Sequence, residues 1–165
     1  MTTPPFDAPS AADIAVVAAQ LGRPARGVVG IAARCVCGRP TVVATAPRLP
    51  TGEPFPTLYY LTHPAATAAL SRLEAGHVMP ELEATLADPG IAAAYRAAHE
   101  AYLRDRESIA VVAEIAGFSA GGMPARVKCL HALAAHALAA GPGVNPIGDA
   151  ALARADWSSA VCACV

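Results

Sequence analysis

Apolar positions recur at helical spacing from Ala11 to Leu21. Ser10 stands before that run as an N-cap with Asp13 three positions on, and Gly22 stops it, so the pattern predicts a first helix. The period then shortens. Val28 to Arg34 and Pro40 to Thr45 read as two strands joined by Cys35-Val36-Cys37-Gly38, which predicts a β-hairpin. A Pro/Gly loop from Pro47 to Pro56 leads into a third strand, Thr57 to Leu61. Thr62 as N-cap and Pro64 in the first turn open a helix that runs to about Ala75 and ends at Gly76. Pro80 to Ala87 reads as a short helix closed by Asp88-Pro89-Gly90. Ile91 to about Ser108 reads as a longer amphipathic helix with Arg96, Glu100, Arg104 and Glu107 on its polar face. Ile109 to Ile115 fits a strand and a helix extension equally well. Gly117 to Gly122 forms a glycine-rich loop, and Pro124 opens the last strong helix, which ends at Gly141. Asn145-Pro146-Ile147-Gly148 reads as a turn, followed by a short helix around Trp157. The expected fold is α+β: a small mixed sheet, made of the hairpin and one further strand, packed with four to five helices. The expected organisation is a disordered tail over residues 1–10, a single domain over residues 11–150 and a C-terminal tail over residues 151–165.

Composition narrows the function classes. A chain of 165 residues can bury one sizeable core without disulfides or a metal. The net charge of −1 removes the electrostatic case for nucleic acid, which needs a basic excess or stripe. The mean hydropathy of +0.41 comes largely from Ala and Val. The longest apolar stretch, Val127 to Val144, is interrupted by Lys128, His131, His136 and Pro142, so no membrane span is expected. The first ten residues lack a basic region followed by an apolar one, so a cytoplasmic location is expected. Five cysteines in such a chain read as thiols or metal ligands rather than as a disulfide framework.

Those thiols are the first candidates for chemistry. A C-x-C pair on a strand or turn can aim two sulfurs at one ion, and thiolates and imidazoles bind zinc or, for thiolates, iron–sulfur clusters. The available donors are Cys35, Cys37, His63, Cys129, His131, His136, Cys162 and Cys164. None has the spacing of paired C-x-x-C knuckles. On a regular helix starting at Pro124, Cys129 and His131 would differ by about 200° around the axis. They could share an ion only if the helix starts later. The alternative is that Cys129 is a buried thiol packed as a small hydrophobe and the histidines are ordinary polar contacts. A second candidate is the loop Ser119-Ala120-Gly121-Gly122, which leads toward Arg126 and Lys128. Free backbone N–H groups, a helix dipole and two cations favour a phosphate-like anion there, although the G-x-x-x-x-G-K-[ST] pattern is absent. Gly117-Phe118-Ser119-Ala120-Gly121 also fits G-x-S-x-G, which makes Ser119 a candidate nucleophile of a small hydrolase. The chain is short for that fold and lacks alternating βα units. His99 reads as part of a solvated helix face.

Several segments taken together carry a resemblance. They are Gln20-Leu21-Gly22-Arg23-Pro24, Arg34-Cys35 with Gly38 and Pro40, Pro54-Phe55-Pro56-Thr57-Leu58-Tyr59, and Leu61-Thr62-His63-Pro64. Arg72-Leu73-Glu74, Gly121-Gly122-Met123-Pro124, Lys128-Cys129-Leu130-His131, and Asn145-Pro146 with Gly148 complete the set. From about Asp13 to Asp149 the chain resembles the bacterial, mainly actinobacterial, family known as domain of unknown function 501. The family's motifs fall on Arg34, Cys35, His63, Lys128, Cys129 and His131; Cys37, Cys162 and Cys164 depart from its pattern. The resemblance implies a metal set of Cys35, His63 and Cys129, with zinc or an iron–sulfur cluster as cofactor. The glycine loop and the cations near it make Arg34, Gly121, Gly122, Arg126, Lys128 and His131 the candidate anion-binding set. The resemblance also implies an alternative, a non-catalytic partner protein of cell division or envelope growth, which would expose an apolar patch larger than a few hundred Å².

Overall fold

The computed structural model describes residues 5–164; residues 1–4 of the expected N-terminal tail and Val165 of the C-terminal tail lie outside them. Helix α1 spans Ala11–Leu21. Ser10 Oγ accepts from the Asp13 backbone N–H at 3.0 Å, and the Asp13 carboxylate accepts from the Ser10 backbone N–H at 3.0 Å. This reciprocal box satisfies two donors that the helix start would otherwise leave open.

Strands β1 (Val28–Arg34), β2 (Pro40–Thr45) and β3 (Tyr59–Leu61) form one sheet in the order β1-β2-β3. Both pairings are antiparallel, so the sheet is not mixed as expected. The link from β2 to β3 carries no helix, and a parallel return needs a crossover. Central β2 is buried along its whole length, because its two faces meet two different sets of residues. Val42 and Ala44 join the main core, whereas Val43 packs with Ile31 of β1 and Val17 of α1. The segment before α1, expected as a disordered tail, is tied down from Phe6 onward. Asp7 exchanges two backbone hydrogen bonds with Ile31, at 2.8 and 3.0 Å. The Phe6 ring lies over Gly30, where a Cβ would fall 2.1 Å from it.

Helix α2 spans Pro64–Ala75 and is capped by His63, not Thr62. Thr62 is still bound to the sheet: its N–H donates to Thr41 O at 3.0 Å and its hydroxyl to Gln20 Oε1 at 2.8 Å. Helix α3 is Val78–Ala84, and α4 is Pro89–Glu107, capped by Asp88. Ile109 to Ile115 is neither strand nor helix extension but coil ending in a single 3₁₀ turn. Arg106, 2 % exposed, draws this segment in by donating to the carbonyls of Pro56, Ile115 and Phe118.

Helix α5 is Leu130–Ala140 and starts six positions after Pro124. Lys128 N donates to Gly121 O, Arg126 N to Gly122 O, and Val127 N to the Glu83 carboxylate. Those partners hold residues 122–129 out of the helix. A sixth helix, α6 (Pro146–Arg154), stands where a turn and tail were expected. Asn145 Oδ1 accepts from Gly148 N at 2.9 Å, and Pro146 fills the first helical position, where its missing N–H costs nothing. The helix therefore crosses the expected boundary at residue 150.

The main core joins β2 and β3 to Leu70 of α2, Tyr95 and Tyr102 of α4, Leu133 of α5 and Ile147 of α6. Among the described residues no helix is long and apolar enough to cross a membrane.

Candidate metal centres

The hairpin turn brings the first two sulfurs together. Cys35 N donates to Arg39 O and Gly38 N to Cys35 O, both at 2.8 Å. Gly38 sits at φ +88°, a backbone region that strains any residue with a side chain. Arg34 braces the turn: its guanidinium donates to Gly38 O at 2.9 Å and to both Asp13 oxygens at 2.7 and 3.1 Å. These hydrogen bonds from Arg34, with a further one from the Ser10 backbone, hold the Asp13 carboxyl well below the usual carboxylate range.

The C-terminal segment completes the cluster. Val36 N donates to Ser159 O at 2.9 Å, which lays residues 159–164 along the turn. The sulfurs of Cys35, Cys37, Cys162 and Cys164 then lie within 4.8 Å of one another. Four thiolates around a zinc ion at about 2.3 Å would stand about 3.8 Å apart, so adjustments of about an ångström would close the set. Cys37 Sγ and Cys164 Sγ are 3.5 Å apart. The Arg39 backbone N–H, and then the hydrogen bond from Cys164, pull the Cys37 thiol down to about 7. Burial, and then the same hydrogen bond, push Cys164 up to about 12.

His63 faces this cluster. Its Nδ1 accepts from Ala66 N at 3.4 Å, so Nε2 carries the proton and donates toward Cys164 Sγ at 3.1 Å. The ring is buried against Trp157, 5.4 Å away, and burial pushes its pKa down. An open groove of about 490 Å³ adjoins it, lined by Ala15, Gln20, His63, Pro64 and Cys164.

Cys129 belongs elsewhere, so Cys35, His63 and Cys129 are not one group. Its sulfur lies within 4.8 Å of ligand atoms of Glu74 and His131. The expected 200° separation of Cys129 from His131 does not arise, because Cys129 precedes α5 in an extended conformation, φ −152°. Glu74 Oε1 accepts from Leu130 N at 2.8 Å and faces His131 Nδ1 at 3.2 Å. His131 Nε2 lies 3.1 Å from Thr67 O and 3.1 Å from Ser71 Oγ. The Cys129 hydrogen bond raises His131 to about 9 and in turn lowers Cys129. A cavity of about 300 Å³ borders the group, lined by Tyr59, Tyr60, Thr67, Cys129 and His131 among others.

Most of the residues expected to hold an anion are engaged with the protein itself. Arg34 is bound to Asp13 and Arg126 to Glu83. A Cβ on Gly121 would fall 2.6 Å from Leu133, and one on Gly122 would fall 2.6 Å from Arg126 O. These glycines admit the chain's own backbone. The first N–H of α5 donates to Glu74, while Lys128 is exposed. Ser119 Oγ is 2.8 Å from His99 Nδ1, a pairing the sequence did not point to. The strand and helix that a nucleophile elbow needs do not flank Ser119.

The fold and these side chains define an α+β protein carrying two groups of residues of the types that can ligate a metal. A family model described as "protein of unknown function (DUF501)" matches residues 31–153, most of the chain, and the chain belongs to that family. No curated protein and no solved structure matches the chain. Cys35, Glu74, Cys129 and His131 lie inside the matched region; Cys162 and Cys164 lie beyond it. One signal in the sequence pointed to the four-sulfur cluster: two C-x-C pairs of identical spacing, one on a turn and one in the tail.

Proposed function

We propose that the protein binds a zinc-class ion through Cys35, Cys37, Cys162 and Cys164, and that this closed site clasps the C-terminal segment to the β1–β2 turn. The observation that carries this reading is the convergence of four sulfurs within 4.8 Å. Four thiolates are the ligand set of structural zinc sites, which leave no open position for a substrate. The His63 Nε2–H directed at Cys164 is the kind of outer hydrogen bond that orients a ligating sulfur. Reduced, unpaired thiols suit a reducing compartment such as the cytoplasm.

The test is elemental analysis of protein purified without oxygen and without an affinity-tag metal, beside a Cys37→Ser, Cys164→Ser variant. The variant is expected to lose about one equivalent of zinc relative to the wild type. Iron with sulfide in that place would assign a cluster rather than a zinc ion. Equal metal content in the two proteins, or none in either, would overturn the reading.

A further inference from the structure

We propose that Glu74, Cys129 and His131 form a second divalent-metal site, open rather than closed, whose vacant position faces the cavity bounded by Thr57, Tyr59, Tyr60 and Thr67. Three different elements deliver its three donors: the last turn of α2, the residue before α5, and the first turn of α5. The ligand atoms already lie within 4.8 Å of one another.

His131 carries the strongest geometric indication. The Thr67 carbonyl can only accept, so His131 Nε2 is protonated toward it at 3.1 Å. Histidines that bind metals characteristically donate their other ring N–H to a backbone carbonyl or carboxylate, which fixes the ring and points the free nitrogen at the ion. Here that arrangement leaves Nδ1 directed at Glu74, 3.2 Å away. A cation placed between Nδ1, the carboxylate and the thiol would have all three ligand atoms around it. One thiolate and one carboxylate would balance a divalent charge, and the neutral imidazole adds none. The mixed set of S, N and O suits zinc or cobalt better than magnesium or calcium.

The cavity makes this site different in kind from the four-sulfur cluster. Cys129 and His131 are themselves part of its wall, beside Tyr59, Tyr60, Leu61 and Ala132. Three protein ligands with a fourth position left to water or substrate is the arrangement of catalytic zinc sites. A small ligand bearing a carboxylate fits both halves of this environment. Its anionic oxygens would take the open position, and its apolar body would lie against the tyrosines and Leu61. The site does not depend on the clasp, and all three ligands lie within the family match.

The experiment uses the full chain with Cys37→Ser, Cys162→Ser and Cys164→Ser, which removes the clasp. Cobalt(II) is titrated in, and the thiolate-to-cobalt charge-transfer band is read together with the visible ligand-field bands. About one equivalent is expected to bind, with the absorption of a single thiolate. Adding Cys129→Ser should abolish the charge-transfer band. Glu74→Gln keeps an acceptor for Leu130 N, so the fold is spared, and should weaken cobalt binding by roughly tenfold or more. Azide, a small anion, should shift the visible bands by entering the open position. No cobalt binding in the clasp-free protein, or binding indifferent to both Cys129→Ser and Glu74→Gln, would overturn the proposal. Visible bands unmoved by azide would overturn the open position. Because only Cys35 of the four clasp cysteines remains, the clasp cannot form, and none of these outcomes depends on the zinc reading above.

Discussion

His136 shows how a single neighbour can fix the protonation of a buried side chain. It is fully buried, stacked on Tyr59 at 5.7 Å and edge-on to Tyr102 at 5.2 Å. Asn145 Oδ1 is committed to capping α6 through Gly148 N, so Asn145 Nδ2 must face His136 Nδ1, 3.2 Å away. A protonated ring would set two donors against each other. Burial accordingly pushes the His136 pKa down to about 4, against about 6.5 in an unfolded chain. Between those values the unfolded state holds a proton that the folded state refuses. The contribution is therefore fully present above about pH 6.5 and is lost as pH falls toward 4, by an amount on the order of 3 kcal/mol. Urea midpoints measured at pH 7 and pH 4.5 should fall more steeply for the wild type than for His136→Phe; equal slopes would exonerate the ring. None of this was legible in the sequence, which showed His136 as one of several metal donors or else as an ordinary polar contact. The four-sulfur cluster was half legible. The C-x-C pairs are visible as spacing, but nothing local says that Cys37 and Cys164 meet. Likewise, whether Cys129 faces His131 turned entirely on where α5 begins.

At the scale of elements, what could be read was what local chemistry decides. The Ser10–Asp13 box and the Gly22 stop are complete within a few residues, and α1, the hairpin and α4 follow the pattern closely, although Asp88, read as the close of the helix before it, caps α4. Misreadings occurred where a distant partner outbid a local signal. Thr62 has a capping hydroxyl but gives it to Gln20, so His63 caps α2 instead. Residues 124–129 have helical composition but are held by Gly121, Gly122 and Glu83. The α6 start was a different error, because Asn145-Pro146 is as good a helix opening as a turn. Helices α5 and α6 meet at Gly148, where a Cβ would fall 2.2 Å from Leu133 O and 2.8 Å from Ala137 Cβ. Gly148→Ala must push the two helices apart, and it is expected to cost about 1–3 kcal/mol. A denaturant midpoint unchanged by that substitution would show that the pair can separate without penalty. The Gly22 position, with open space around its Cβ, offers no such clash.

Across the whole molecule, one corner gathers segments far apart in the chain. Asp13 of α1 holds Arg34, Arg34 holds the hairpin turn, and residues 159–164 lie along that turn beside the start of α2. An ion on the four sulfurs would be bound by the folded chain and stabilise it by mass action. Zinc at a hundredfold excess over the clasp's dissociation constant should add roughly 2.7 kcal/mol through that site, seen as a rise in melting temperature that chelator reverses and Cys37→Ser reduces. In the same conditions zinc should slow carboxypeptidase trimming of the last residues. Trimming at the same rate with and without zinc would mean that the segment is not clasped.

The separation of 127 positions from Cys37 to Cys164 has a further consequence. Any link joining those two sulfurs, through an ion or a covalent bond, closes a ring that takes in most of the chain. The entropy of closing a ring grows with the logarithm of its length, and for roughly a hundred residues it amounts to about 4–5 kcal/mol. A link that survives unfolding would remove that freedom from the disordered ensemble while leaving every native contact as it was. Its influence would then be invisible in a comparison of folded structures with and without it, and would appear only in how seldom the protein comes apart.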